Sequence, residues 1–137
     1  PEIEQLIFST KEKNSNIEKT LYLTRRRIEN KIKSLNINNF YICSLSSEVI
    51  VYKGMFLAEQ LSSFYPDLLD SDFKSKFAIY HQRYSTNTFP TWSLAQPFRV
   101  LAHNGEINTL KGNVNWMKAH ETRITDDFFG DRVEDLK

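Results

Sequence analysis

Two short strand-like runs, residues 77–80 (FAIY) and 98–102 (FRVLA, apolar but for Arg99), each empty into a polar loop, and this limits what the chain can fold into more than any other feature. Runs of four or five apolar residues are strand length, and polar, backbone-permissive residues crowded at strand ends build sites more readily than cores. The first loop opens with His81-Gln82-Arg83 and continues through Ser85, Thr86, Asn87 and Thr88. The second opens with His103-Asn104-Gly105. Between them, residues 88–97 carry two prolines, Pro90 and Pro97, which preclude regular structure throughout.

The rest of the chain supplies layers for those strands. Ile17, Leu21, Ile28, Ile32 and Leu35 recur at spacings of four, seven, four and three, predicting a helix over about 17–34. Ser15 stands three before Glu18, the spacing of a capping box, and residues 36–39 break the pattern. Residues 40–45 (FYICSL) and 49–52 (VIVY) read as two strands, and the short loop Ser46-Ser47-Glu48 makes them an antiparallel hairpin. A short helix is expected within 55–64, stopped by Pro66, then a polar, turn-like stretch over 67–75. A last helix covers about 109–123, with Thr109 or Asn113 as N-cap and Leu110, Val114, Met117 and Ile124 on its apolar side. Gly112 weakens its first turn. Four strands with helices outside them make an α+β layered domain with an antiparallel sheet.

Composition narrows the function classes. The 137 residues suffice for one domain, and a net charge of +1 argues against general attraction to nucleic acid or membranes. Charge is uneven: residues 11–33 hold eight basic residues against Glu12, Glu18 and Glu29, while residues 121–137 hold six acids against Arg123, Arg132 and Lys137. The basic run reads as a solvated helix face rather than a patch for an acidic partner. A single cysteine, Cys43, excludes an internal disulfide and favours a reducing compartment. No apolar run approaches the ~18 residues of a membrane span, and residues 1–10 carry no leader-like apolar region. The Asn-, Ile- and Lys-rich composition points to an AT-rich genome, that of a plastid or a bacterium, and a cytoplasmic or plastid-stroma location is expected.

Individual residues point to chemistry with different force. Arg83, at a strand end, can grip a carboxylate bidentately, or pair with any nearby acid. Ser85, Thr86, Asn87 and Thr88 can hydrogen-bond a small polar ligand or their own backbone. Asn104-Gly105 is a hairpin-turn signal, yet an Asn amide beside a Gly N–H also suits an oxyanion hole for acyl transfer. His81, His103 and His120 lack metal-ligand spacing, Glu106 reads as a turn carboxylate, and Trp92 and Trp116 as packing residues. Cys43, mid-strand between Ile42 and Leu45, reads as an inert small hydrophobe.

The segments YHQRYSTNTFPTW, AQPFRVLAHNGEINTLKGNVNWM and FYICSLSSEVIVYKGM together resemble the glutaminase domain of the large-subunit glutamate synthases, which are class II glutamine amidotransferases. The resemblance runs from about Ile17 to the C-terminus. It implies an N-terminal nucleophile hydrolase fold, here a partial αββα sandwich of antiparallel sheets with outer helices. It also implies ammonia release from glutamine, used elsewhere in the polypeptide with 2-oxoglutarate to make glutamate. Arg83 matches the arginine that holds the glutamine α-carboxylate, Asn104 and Gly105 match the oxyanion-hole pair, and Thr86 and Asn87 fall where the glutamine pocket is lined. Tyr84 and Ser85 lie alongside.

The chain departs from that pattern at the reacting group. The family nucleophile is an N-terminal cysteine whose own amine is the general base; residue 1 here is Pro1, and Cys43 is in the wrong setting. The aspartate that binds the substrate amino group is expected beyond Asp126, Asp127, Asp131 and Asp135. Residues 1–137 are therefore expected to be part of a single amidotransferase domain without its N-terminal and C-terminal portions, and inactive alone. No metal is expected in this segment. FMN and an iron–sulfur cluster are implied for the full-length enzyme. So are partners: glutamine, the synthase domains of the same polypeptide, and ferredoxin or an NAD(P)H-dependent small subunit. A non-catalytic amino-acid-binding module is the alternative that the missing nucleophile motivates.

Overall fold

The computed structural model describes residues 2–11, 16–82, 89, 91–95, 99, 109–125 and 129–136. Helix α1 spans Ile17–Ser34, as the apolar spacing predicts. Its end is chemically specified. Asn36 takes the left-handed conformation at φ 56°, the Ile37 N–H donates to the Ile32 carbonyl at 3.2 Å, and the Asn36 N–H donates to that of Lys33 at 3.0 Å. That is a Schellman closure with asparagine in the glycine-like position. The start differs from expectation. Ser15 lies outside the described residues, Asn16 is the N-cap without a side-chain capping hydrogen bond, and the Glu18 carboxylate turns to Ser46 and Ser47.

What α1 buries also differs. Ile28 and Leu35 of the apolar stripe are exposed, whereas Leu23 and Arg25 are buried. Electrostatics decide the side that is covered. Arg25 Nη1 donates to both Glu29 carboxylate oxygens at 2.7 and 2.9 Å, Arg26 reaches Glu29 at 3.3 Å, and Arg99 joins from 70 positions along the chain. The basic run is thus exposed at Lys31 and Lys33 but built into an ion-pair network at Arg25 and Arg26. Arg27 pairs with Asp135 at 2.8 Å, so the acidic end of the chain, a 3-10 helix over Gly130–Leu136, docks on the basic helix.

The expected strands are not confirmed among the described residues. Among the described residues there is no β-strand: 40–45, 49–52 and 77–80 lack a ladder, and of 98–102 only Arg99 is described. The first two segments nevertheless lie side by side. Ser44 Oγ accepts the Val51 N–H at 3.2 Å, while Ser46 Oγ accepts those of Glu48 and Val49 at 3.0 and 3.1 Å. Serine hydroxyls thereby take N–H groups that a hairpin would give to carbonyls. Among the described residues little covers 77–80, with Phe77 and Tyr80 exposed and Ile79 half-buried, and a strand without a paired edge or a buried face is not stable alone.

The expected short helix forms as a 3-10 turn over Ala58–Gln60 followed by α2, Leu61–Phe64. Pro66 then opens a second 3-10 turn, Pro66–Leu69. These turns gather an aromatic cluster: Tyr52 to Tyr65 at 4.7 Å between ring centroids, Phe56 to Phe64 at 5.1 Å and Phe64 to Trp92 at 6.0 Å. Helix α3 spans Leu110–Glu121 behind N-cap Thr109, one of the two expected caps; Asn113 lies inside. Leu110, Val114 and Met117 on its apolar side are exposed.

Candidate active site

Arg83, Thr86, Asn87, Asn104 and Gly105 all lie outside the described residues, as do Tyr84, Ser85, His103 and Glu106. Described residues close to them in sequence form a frame of their own. Its centre is Lys53, from the run VYKGM, packed against the turn Thr91-Trp92-Ser93-Leu94-Ala95 that falls between the two motif loops. Lys53 is 7% exposed. Its ammonium donates to the Ser93 carbonyl at 2.8 Å and to the Ala95 carbonyl at 3.1 Å, and lies 4.8 Å from the Tyr41 ring centroid. A buried lysine needs such partners, because an unpaired buried charge is costly.

The same turn is gripped twice more. Tyr41 Oη donates to the Trp92 carbonyl at 3.0 Å. The Trp92 ring lies against the Cα of Gly54, where a Cβ would collide with it and with Phe56; glycine is required there for close approach. Tyr65 Oη closes the arrangement by donating to the Lys53 carbonyl at 2.7 Å. Burial lowers the Lys53 pKa from its ordinary value, with Arg99 adding to the effect and Cys43 opposing it. Burial likewise raises the Tyr65 pKa.

Nearby, Tyr52 donates a short hydrogen bond to Asp67, and Gln5 Nε2 lies 3.3 Å from the same carboxylate. Burial first, then this bond, pushes the Tyr52 phenol up to about 12, while the bond from Tyr52 holds Asp67 below its ordinary value. Arg99, five positions before Asn104, donates to the Ile42 carbonyl at 2.6 Å and reaches Glu29 at 3.3 Å. The chain between the two motif loops is therefore anchored at residues 92, 93, 95 and 99.

Other sequence expectations divide. Trp92 packs, as expected, while Trp116 is 80% exposed and does not. His81 and His120 are exposed, consistent with peripheral roles. Cys43 is half-buried but lies outside any strand. Lys53 was not singled out from sequence; a lysine followed by glycine at the end of an apolar run was the available signal.

The family described as class II glutamine amidotransferases matches residues 1–137. The chain belongs to the class II glutamine amidotransferases. It is 67% identical over 139 residues to the NADPH glutamate synthase large chain of Azospirillum brasilense, covering 100% of this chain and 9% of that one. It is 52% identical over 123 residues to the ferredoxin-dependent glutamate synthase of Antithamnion sp., covering 88% of this chain and 8% of that one. It is 49% identical over 140 residues to the chloroplastic ferredoxin-dependent glutamate synthase of Oryza sativa subsp. japonica, covering 100% and 9%. The chain thus spans less than a tenth of the length of these curated relatives. No solved structure matches it.

Membership in the class II amidotransferases implies an N-terminal nucleophile hydrolase fold. The match also takes in residues ahead of Ile17, where the motif resemblance begins. This amidotransferase segment does not fit an iron–sulfur cluster, which needs several cysteine ligands, because its sole cysteine is Cys43. Among the described residues no group of three or more His, Cys, Asp or Glu is placed to hold a metal ion. Among them, too, no helix is long and apolar enough to cross a membrane.

Proposed function

We propose that this chain is part of the glutamine-hydrolysing domain of a glutamate synthase. The observation that carries the reading is the amidotransferase match over residues 1–137, joined to 67% identity with a glutamate synthase large chain across the whole of this sequence. The substrate is glutamine. Arg83 grips its α-carboxylate as a bidentate partner, and Thr86 and Asn87 line the pocket. The nucleophile is the N-terminal cysteine thiolate of the full-length protein, outside these 137 residues. It attacks the side-chain carbonyl carbon, and the developing oxyanion is held by the Asn104 side-chain amide and the Gly105 N–H, each worth about 3 kcal/mol. Collapse breaks the C–N bond and expels ammonia, and water then cleaves the glutamyl thioester to glutamate.

The ammonia serves the synthase domains of the same polypeptide, where it combines with 2-oxoglutarate. FMN and an iron–sulfur cluster in those domains supply the electrons for that step. They are drawn from ferredoxin or from an NAD(P)H-dependent small subunit, in the cytoplasm or a plastid stroma. In the assembled domain the extended segments 40–45, 49–52 and 77–80 take strand positions in the αββα sandwich, once neighbouring strands supply edges. Glutamine hydrolysis by the full-length protein tests the reading. Asn104→Ala should lower kcat by about 10²–10³-fold, and Arg83→Lys should raise KM for glutamine about tenfold or more. Full activity in Asn104→Ala, or an unchanged KM in Arg83→Lys, would overturn these assignments.

A further inference from the structure

We infer that Arg25 and Arg99 form a binding site for a small oxyanion, the phosphate or carboxylate group of a soluble metabolite. The site lies where α1 meets residues 40–45 and owes nothing to the glutamine reading. Three guanidiniums converge there on one carboxylate. Arg25 Nη1 donates to the two Glu29 oxygens at 2.7 and 2.9 Å, Arg26 Nη1 to Oε2 at 3.3 Å and Arg99 Nη2 to Oε1 at 3.3 Å. A carboxylate offers about four lone-pair sites, and these bonds occupy them. Glu29 can accept no more, and its single charge does not balance the two guanidiniums that share Oε1. Burial lowers the Arg99 pKa, and repulsion from Arg25 adds to the effect, against the attraction of Glu29. Like charges held this close favour a second anion beside them.

The donors are also held in place. The Tyr22 ring centroid lies 4.9 Å from the Arg25 guanidinium carbon, and the Ile42 carbonyl accepts from Arg99 Nη2 at 2.6 Å. Side-chain ordering is thus largely complete before a ligand arrives, which lowers the cost of binding. None of these bonds uses the Nε–Nη2 edge of Arg25, or Nε and Nη1 of Arg99. Such guanidinium donors match the paired oxygens of a carboxylate or phosphate. Access is one-sided: the Arg25 side chain is 8% exposed and that of Arg99 46%. A small anion reaches the cluster past Arg99 and meets Arg25 away from bulk water, where attraction is stronger than at an open surface. Once bound, it ties α1 to residues 40–45, since Arg25 belongs to the first and Arg99 is bonded to the second.

The test uses the full-length protein, with inorganic phosphate and succinate as probes and sodium chloride at equal ionic strength as control. Phenylglyoxal modifies accessible arginines, and peptide mass spectrometry reads its rate at Arg99. For a dissociation constant on the order of 1 mM, ~10 mM phosphate should slow that modification about tenfold, because only the unliganded protein reacts. Phosphate should also slow amide exchange at residues 25–29 and 42–44. Arg99→Gln should lose this effect, and Arg99→Lys should keep part of it. A stronger response to succinate than to phosphate would assign a carboxylate ligand, and the reverse a phosphoryl ligand. Equal slowing by chloride would mean an adventitious ion only and would overturn the site. So would an Arg99 that reacts at one rate in every anion, or that stays unreactive throughout because another part of the polypeptide covers it. Retention of the phosphate effect in Arg99→Gln would place the anion elsewhere.

Discussion

Glu18 shows how one side chain can be read correctly by type and wrongly by partner. Its position three after Ser15 predicts a reciprocal cap, yet its carboxylate accepts from Ser47 Oγ at 2.6 Å, the Ser47 N–H at 2.7 Å and Ser46 Oγ at 2.7 Å. The Ser47 hydroxyl contributes most to holding its pKa below 4.5, against the opposing effect of burial. A carboxylate depressed in the folded state binds fewer protons there than in the unfolded state. Its stabilisation is therefore complete above pH 4.5 and lost as pH falls through the lower, folded value. Amide protection over residues 46–49 in the full-length protein should fall in that acid range, and Glu18→Gln should abolish this pH dependence. A variant that kept the same acid transition would place the titrating group elsewhere. Arg83, Asn104 and Gly105, by contrast, lie outside the described residues, and their roles rest on the two motifs and the family resemblance alone.

Among the elements, α1 was the most legible, since an apolar spacing of three and four residues depends on the helix alone. Its C-terminus makes a sharp prediction. Asn36 sits at φ 56°, a region that β-branched residues strongly disfavour. Asn36→Val should fray the last turn by about 1–2 kcal/mol, read as lost protection at residues 33–37, while Asn36→Gly should preserve it. Equal behaviour of the two variants would show that the Schellman closure does not hold the helix end. The expected strands do not form among the described residues for a physical reason. A strand's hydrogen bonds belong to its neighbours, so residues 40–45, 49–52 and 77–80 have the composition of strands without a ladder among the described residues. Serine side chains at Ser44 and Ser46 take up N–H groups in its place.

For the whole molecule, surface decides stability. The chain exposes 11969 Å², where a compact domain of 16.1 kDa exposes roughly 7,400 Å². The described apolar core comprises Leu23, Tyr65, Ala95 and Phe129, with Phe77, Tyr80, Leu110 and Trp116 among many large side chains left exposed. Burial among the described residues is small against the entropy of ordering the chain. The isolated 137 residues should melt broadly, without a cooperative transition, and bind a hydrophobic dye at room temperature. A sharp, dye-silent melt would show that this chain folds by itself.

By itself the sequence determined helices α1 and α3, and the family through its motif segments, because each depends on residues close together in the chain. Only the tertiary structure decided that Lys53 lies buried beneath the turn at 91–95, and that Glu29 gathers Arg25, Arg26 and the distant Arg99. It also decided that Asp135 returns to Arg27. Those contacts join residues separated by up to 108 positions. Partner choice at such range follows from where the folded backbone brings charges and carbonyls together, which no local pattern encodes.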